Sequence, residues 1–160
     1  MAMEGKLDSD IDASRELLLA RCNEKIGNID LAISGYEEYL VKIKDKKFFN
    51  DVKGDIYNTL SKLLTITDKK EKALEYLDKL LDVEIVPIKR LLALLDKGAL
   101  LFEIDKEKGH IIYEYIIKSF KSETDNKIIE TLINGCSKIS IDLVKIDINL
   151  YLEFLKLALS

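Results

Sequence analysis

Apolar positions recur along this chain at the spacing of helices. Residues 1–9 carry few of them and read as a flexible tail, with the folded region running from 10 to 160. Leu17, Leu18, Ala20, Cys22 and Ile26 open an apolar face, and Gly27-Asn28 stops that helix because both residues tolerate left-handed backbone. Ile29, Ala32, Ile33, Tyr36, Leu40 and Ile43 follow at i, i+3, i+4, i+7, i+11 and i+14, one stripe of an α-helix. A polar loop around 45–50 carries the pair Phe48-Phe49, a candidate anchor or a pair tucked under the loop. Val52, Ile56, Leu60, Leu63 and Leu64 make a third stripe, and Thr67-Asp68 makes a turn. Ala73, Leu74, Leu77, Leu80 and Leu81 make a fourth.

Pro87 fits the first turn of a fifth helix, where its missing N–H costs nothing. That helix, to about Ile104, is apolar nearly all round. It is therefore either buried on every side or open along an apolar groove. Asp105 marks the next turn, and Gly109, Ile112, Tyr113, Ile116, Ile117 and Phe120 mark a sixth helix. Residues 122–125 cap a seventh, holding Ile128, Ile129, Leu132, Cys136 and Ile139. From 139 to 152 apolar and polar residues alternate at strand period, yet Leu143, Ile146, Leu150, Phe154 and Leu157 also fall at helical spacing. Asp142, Asp147 and Asn149 are poor strand residues, so the stretch reads as helix. The whole predicts an all-α chain of seven to eight helices, paired in hairpins over about 12–45, 51–83, 87–121 and 125–160.

Small residues sit where hairpins need them. Ala32 stands one turn into the second helix of its hairpin and Tyr36 four positions later; Ala73 with Leu77 and Gly109 with Tyr113 repeat the arrangement. A small side chain lets two helices approach, and the large one fills the space beside it. Ala20, Ser61 and Gly98 hold the small position of the first helices. These residues resemble the tetratricopeptide repeat (TPR), whose second helix carries the same Ala-to-aromatic spacing. The family's tryptophan is absent, with Glu16 and Tyr57 in its place, and the repeats are spaced more widely than the family's roughly 34 residues. Another α-hairpin repeat is the alternative.

The resemblance implies a right-handed superhelical stack of antiparallel helix hairpins, a solenoid whose first helices line a concave groove. Carried over by position, that groove holds Leu17, Arg21, Glu24 and Lys25, then Asn58, Thr59, Lys62 and Ile66. Leu95, Asp96, Ala99 and Phe102 follow from the third hairpin. The residues that clamp a peptide carboxylate in one branch of the family are not matched, since Leu17 and Arg21 stand in their places. Arg21 and Lys62 instead suit an acidic peptide. The last segment, with Tyr151, Phe154, Leu155 and Leu159, is apolar around most of its circumference, whereas a solenoid end is normally polar. It is a candidate homodimer interface.

Charge and composition narrow the function classes. A net charge of −4 with both signs interspersed argues against nucleic acid, since Lys42, Lys44, Lys46 and Lys47 form the densest basic run and Asp45 interrupts it. No apolar run reaches the roughly 18–20 residues of a membrane span. Cys22 and Cys136 read as small buried hydrophobes in a reducing cytoplasm rather than a disulfide. One His and two Cys without ligand spacing call for no metal or other cofactor. His110 has no nucleophile or paired carboxylate fixed near it by sequence, so no enzyme is expected. The expectation is a cytoplasmic module binding a protein or peptide partner. The alternatives are a dedicated client chaperone or regulator and a structural oligomerisation unit.

Overall fold

In a computed structural model the stripes fold as helices. It describes residues 2–44, 50–120 and 124–135, with the single positions 149, 152 and 156. The helices are α1 (Ala2–Ile26), α2 (Ile29–Lys42), α3 (Asn50–Ile66), α4 (Lys70–Val83), α5 (Pro87–Ile104) and α6 (Lys106–Phe120). A seventh, α7, covers 126–135, and no strand occurs among the described residues. The chain divides into two compact units, Met1–Tyr76 and Leu77–Ser160, described in turn.

The first unit is built on the α1–α2 hairpin. Helix α1 begins at Ala2, where a loose tail over 1–9 was expected. Nothing in that stretch but Gly5 opposes a helix, and each residue added to an existing helix gains a hydrogen bond. The turn to α2 is a Schellman motif: Gly27 has φ +83°, Asn28 N–H donates to Asn23 O at 2.8 Å and Gly27 N–H to Glu24 O at 3.1 Å. The helices run antiparallel, with Gly35 against Ala20 and Lys42 against Glu16. A Cβ on Gly35 would lie 3.0 Å from the Ala20 Cβ, so the absent side chain sets the approach. The expected core stripe of α1 is corrected here. Of that stripe Ala20 is buried and Leu17 half-buried, while Leu18, Cys22 and Ile26 are exposed, and Ala13, outside the stripe, is buried.

Helix α2 buries Ala32, Ile33, Tyr36 and Tyr39, and α3 buries Ile56, Leu60, Leu63 and Leu64. Each such large side chain contributes about 1.5–3 kcal/mol on leaving water. Buried hydroxyls find carboxylates: Tyr36 donates to Glu24, and Tyr76 donates to Glu37 at 2.8 Å. Burial first, and those carboxylates second, hold both phenols well above the usual tyrosine pKa. Lys72 and Tyr76 both meet Glu37, and Lys69 meets Asp30. These contacts place α2 and the start of α4 side by side, running the same way.

In the second unit Pro87 occupies the first turn of α5, as its sequence position predicts. Arg90 reaches back to donate to Leu81 O and Glu84 O, satisfying carbonyls at the end of α4. Asp105 precedes α6 and accepts from Lys108 N–H at 3.2 Å, while its other oxygen meets Lys108 Nζ at 3.0 Å. Those bonds hold the Asp105 carboxyl below its usual pKa. α5 and α6 also pair antiparallel, Gly98 under the Tyr113 ring and Gly109 on the Phe102 backbone. Leu91, Leu94, Leu95, Phe102, Tyr113, Ile116, Ile128 and Leu132 form one core cluster.

Candidate partner-binding cleft

Helix α5 has more apolar surface than its pairing with α6 requires. Leu91, Leu94 and Phe102 go into the core cluster, while Leu92, Asp96 and Ala99 stay exposed on another side. Helix α7 comes close to that side because position 135 is glycine: a Cβ there would fall 2.6 Å from Leu95 Cδ1. The result is a cleft of about 210 Å³ between α5 and α7. Leu92, Leu95 and Ala99 line it from α5 with Asp96; Thr131, Asn134 and Gly135 line it from α7. The Thr131 hydroxyl donates to Lys127 O at 2.7 Å, a carbonyl of its own helix. Asp125 caps α7, accepting from Lys127 N–H at 2.8 Å.

Sites for cofactors and drug-sized ligands run to about 300–1,000 Å³. This cleft is smaller, and its apolar wall with one carboxylate suits an apolar side chain carried beside a hydrogen-bond donor. Among the described residues no group of three or more His, Cys, Asp or Glu is placed to hold a metal. His110 Nδ1 lies 3.5 Å from Glu114 Oε1, one helical turn on. No described helix is long and apolar enough to cross a membrane.

The sequence-derived groove residues divide among several places. Leu95, Asp96 and Ala99 reach the cleft. Phe102 does not: only 8% exposed, it lies in the core with its ring 6.0 Å from that of Tyr113, a correction to its place in the groove. The side-chain-free Gly109 draws α6 onto that part of α5 and encloses it. In the first unit Leu17 is half-buried, Arg21 and Lys25 are exposed, and half-buried Glu24 accepts the Tyr36 hydrogen bond. Asn58 and Thr59 are half-buried, with the Thr59 hydroxyl on Asp55 O at 3.0 Å, while Lys62 and Ile66 are exposed.

Cys22 is exposed rather than buried, because the α2-facing side of α1 is made by its alanines. Tyr151, Phe154, Leu155, Leu159, Cys136 and the Phe48-Phe49 pair lie outside the described residues.

Sequence reasoning missed Leu92, Thr131, Asn134 and Gly135. The signal for the last was present: a glycine inside a helical run, as at Gly35 and Gly98, marks a close approach. Compared with known proteins, the chain matches no family model and no curated protein.

Proposed function

We propose that this chain is a protein-interaction module of the helix-hairpin repeat type, resembling tetratricopeptide repeats. It holds a partner segment by seating an apolar side chain in the α5–α7 cleft. The observation that carries this reading is the place of the cleft. It lies between α5, the first helix of its hairpin, and α7, the helix expected from the sequence to open a further hairpin, and the resemblance assigns partner contact to such first helices. The parallel run of α2 and early α4, bridged through Glu37 and Asp30, supports stacked hairpins. Close approach at Gly35, Gly98 and Gly109 supports the hairpins themselves.

The half-exposed Leu92 and the exposed Ala99 offer substitutions that leave the core intact. Leu92→Glu puts a charge on the apolar wall, and Ala99→Trp fills the cleft. A pull-down from cell lysate read by mass spectrometry should enrich one partner with the wild type and lose it with both variants. Retention by both variants but loss on Arg21→Glu/Lys62→Glu would move the site to the basic surface of the first unit. Retention by all three would remove the cleft reading altogether.

A further inference from the structure

Lysine is almost never enclosed unless it is paired, yet Lys53, in the first turn of α3, is only 9% exposed. Its ammonium donates to Lys44 O at 3.0 Å, a carbonyl just past the C-cap of α2 at Ile43. Arg90 does the same at the α4–α5 joint. It donates to Leu81 O in the last turn of α4 and, at 2.8 Å, to Glu84 O just past the end of that helix. Lys53 and Arg90 are each the fourth residue of their helix, α3 and α5. Two joints of the chain thus hold a cation in one register, aimed at the same kind of acceptor.

The chemistry of a helix end explains the choice. Its last carbonyls have no partner within the helix and carry partial negative charge, which a cation stabilises. A cation from the next helix also binds two elements together, which a cap from the same helix cannot. We propose that Lys53 and Arg90 are the latches of the α2–α3 and α4–α5 joints: each clamps the start of one helix to the carboxyl end of the helix before it, and the joint opens only when the latch is released.

The α4–α5 joint shows why a latch is needed. In its linker, Glu84-Ile85-Val86, Ile85 is 84% exposed and Val86 is exposed too, so apolar packing does not anchor it. What holds it is polar and centres on Glu84. The Glu84 carbonyl accepts from Arg90, and its carboxylate accepts from Val86 N–H at 2.9 Å and lies 3.8 Å from Lys89 Nζ. A further ion pair between the helices, Lys97 to Asp78, has its carboxylate open to water, and such pairs contribute little. Leu81 and Ile88 pack on the core cluster from either side of the linker. Release of the latch therefore frees the joint without unfolding the helices.

Amide hydrogen exchange of the full chain tests this, since it reads local opening residue by residue. Arg90→Met should speed exchange at the Glu84 and Val86 amides by about tenfold or more, the scale of one lost hydrogen bond to a charged group. The Gly109 amide of α6 should keep its wild-type rate. Lys53→Met should release the Ile43 and Lys44 amides of the first joint and leave Glu84 as it is. Arg90→Lys should restore most of the protection, because Lys53 holds the equivalent place with an ammonium. Asp78→Asn, which removes the water-facing ion pair, should change none of these amides. An equal rise at Glu84 and Gly109 in Arg90→Met would make Arg90 a support of the whole fold rather than a latch, and would overturn the proposal. Unchanged rates at Glu84 and Val86, or Arg90→Lys no better protected than Arg90→Met, would overturn it too. If Arg90→Met does not fold, Arg90→Gln, neutral but still polar, is read by the same criteria.

Discussion

Single atoms decide how close these helices come. At Gly109 a methyl group would lie 2.7 Å from the Phe102 backbone, which has no rotamer by which to yield. Alanine gains about 0.5–1 kcal/mol over glycine in a helix, but overpacking costs about 1–3 kcal/mol, and the clash wins. Gly109→Ala should therefore destabilise the fold by about 1–2 kcal/mol in denaturant unfolding. The buried tyrosines give a second handle. Tyr36 keeps its proton in the fold well above the ordinary pKa, through burial and then the Glu24 carboxylate. The unfolded phenol ionises near about pH 10. Above that pH the unfolded state holds fewer protons than the folded one, so stability falls as pH rises. Its contribution is fully present below about pH 10. Tyr36→Phe should flatten that alkaline loss in a pH series of unfolding midpoints. At this scale the sequence was partly readable. Gly98, Gly109 and Tyr113 stand at expected small and large positions, and the structure sets Gly98 under the Tyr113 ring and Gly109 on the Phe102 backbone. Phe102 was misassigned because an apolar helix does not display which of its sides a neighbour will cover.

Helix ends were the most legible elements, because caps are local chemistry. The Gly27 turn and the Thr67-Asp68 turn both fall where breakers predicted them. They share one hydrogen-bond pattern, with Lys69 N–H to Leu64 O at 2.8 Å and Asp68 N–H to Thr65 O at 3.1 Å matching the Gly27 motif. Yet the two left-handed positions hold different residues, Gly27 at φ +83° and Asp68 at φ 57°. A side chain in that region costs about 1–2 kcal/mol, less for aspartate, whose short polar group suits the turn. Gly27→Ala should lower stability by about 1 kcal/mol although nothing lies within contact distance of its Cβ. Asp68→Gly should raise stability by at most about 1 kcal/mol, the loss of an exposed ion pair to Lys70 counting for little. Thermal unfolding of both variants checks the pair of opposite signs. Burial was less legible than the caps. In α1 the larger apolar residues looked like core together with Ala20, and only Ala20 of that stripe is fully buried. The close packing that favours alanine there depends on Gly35 of another helix, which periodicity within α1 does not reveal.

At the scale of the molecule, apolar surface remains among the described residues after the cores are filled, and two parts of it are the α5–α7 cleft and the outer stripe of α1. They differ in kind. The cleft is a concavity with one carboxylate, suited to a foreign side chain. The stripe is a shallow open face with Arg15 and Cys22 among its apolar side chains. The sequence hinted at the first, since α5 is apolar nearly all round. It did not locate them, since what a helix leaves open depends on neighbours distant in sequence. If the two surfaces do different work, their losses must separate, as independent sites do when their changes share no partners. Leu92→Glu should abolish partner capture, whereas Leu18→Glu, at an exposed position of the first unit, should leave it intact. Pull-down with both variants measures the separation. Loss of capture with Leu18→Glu would mean that binding also uses the outer face of α1, and the cleft would then be an incomplete site.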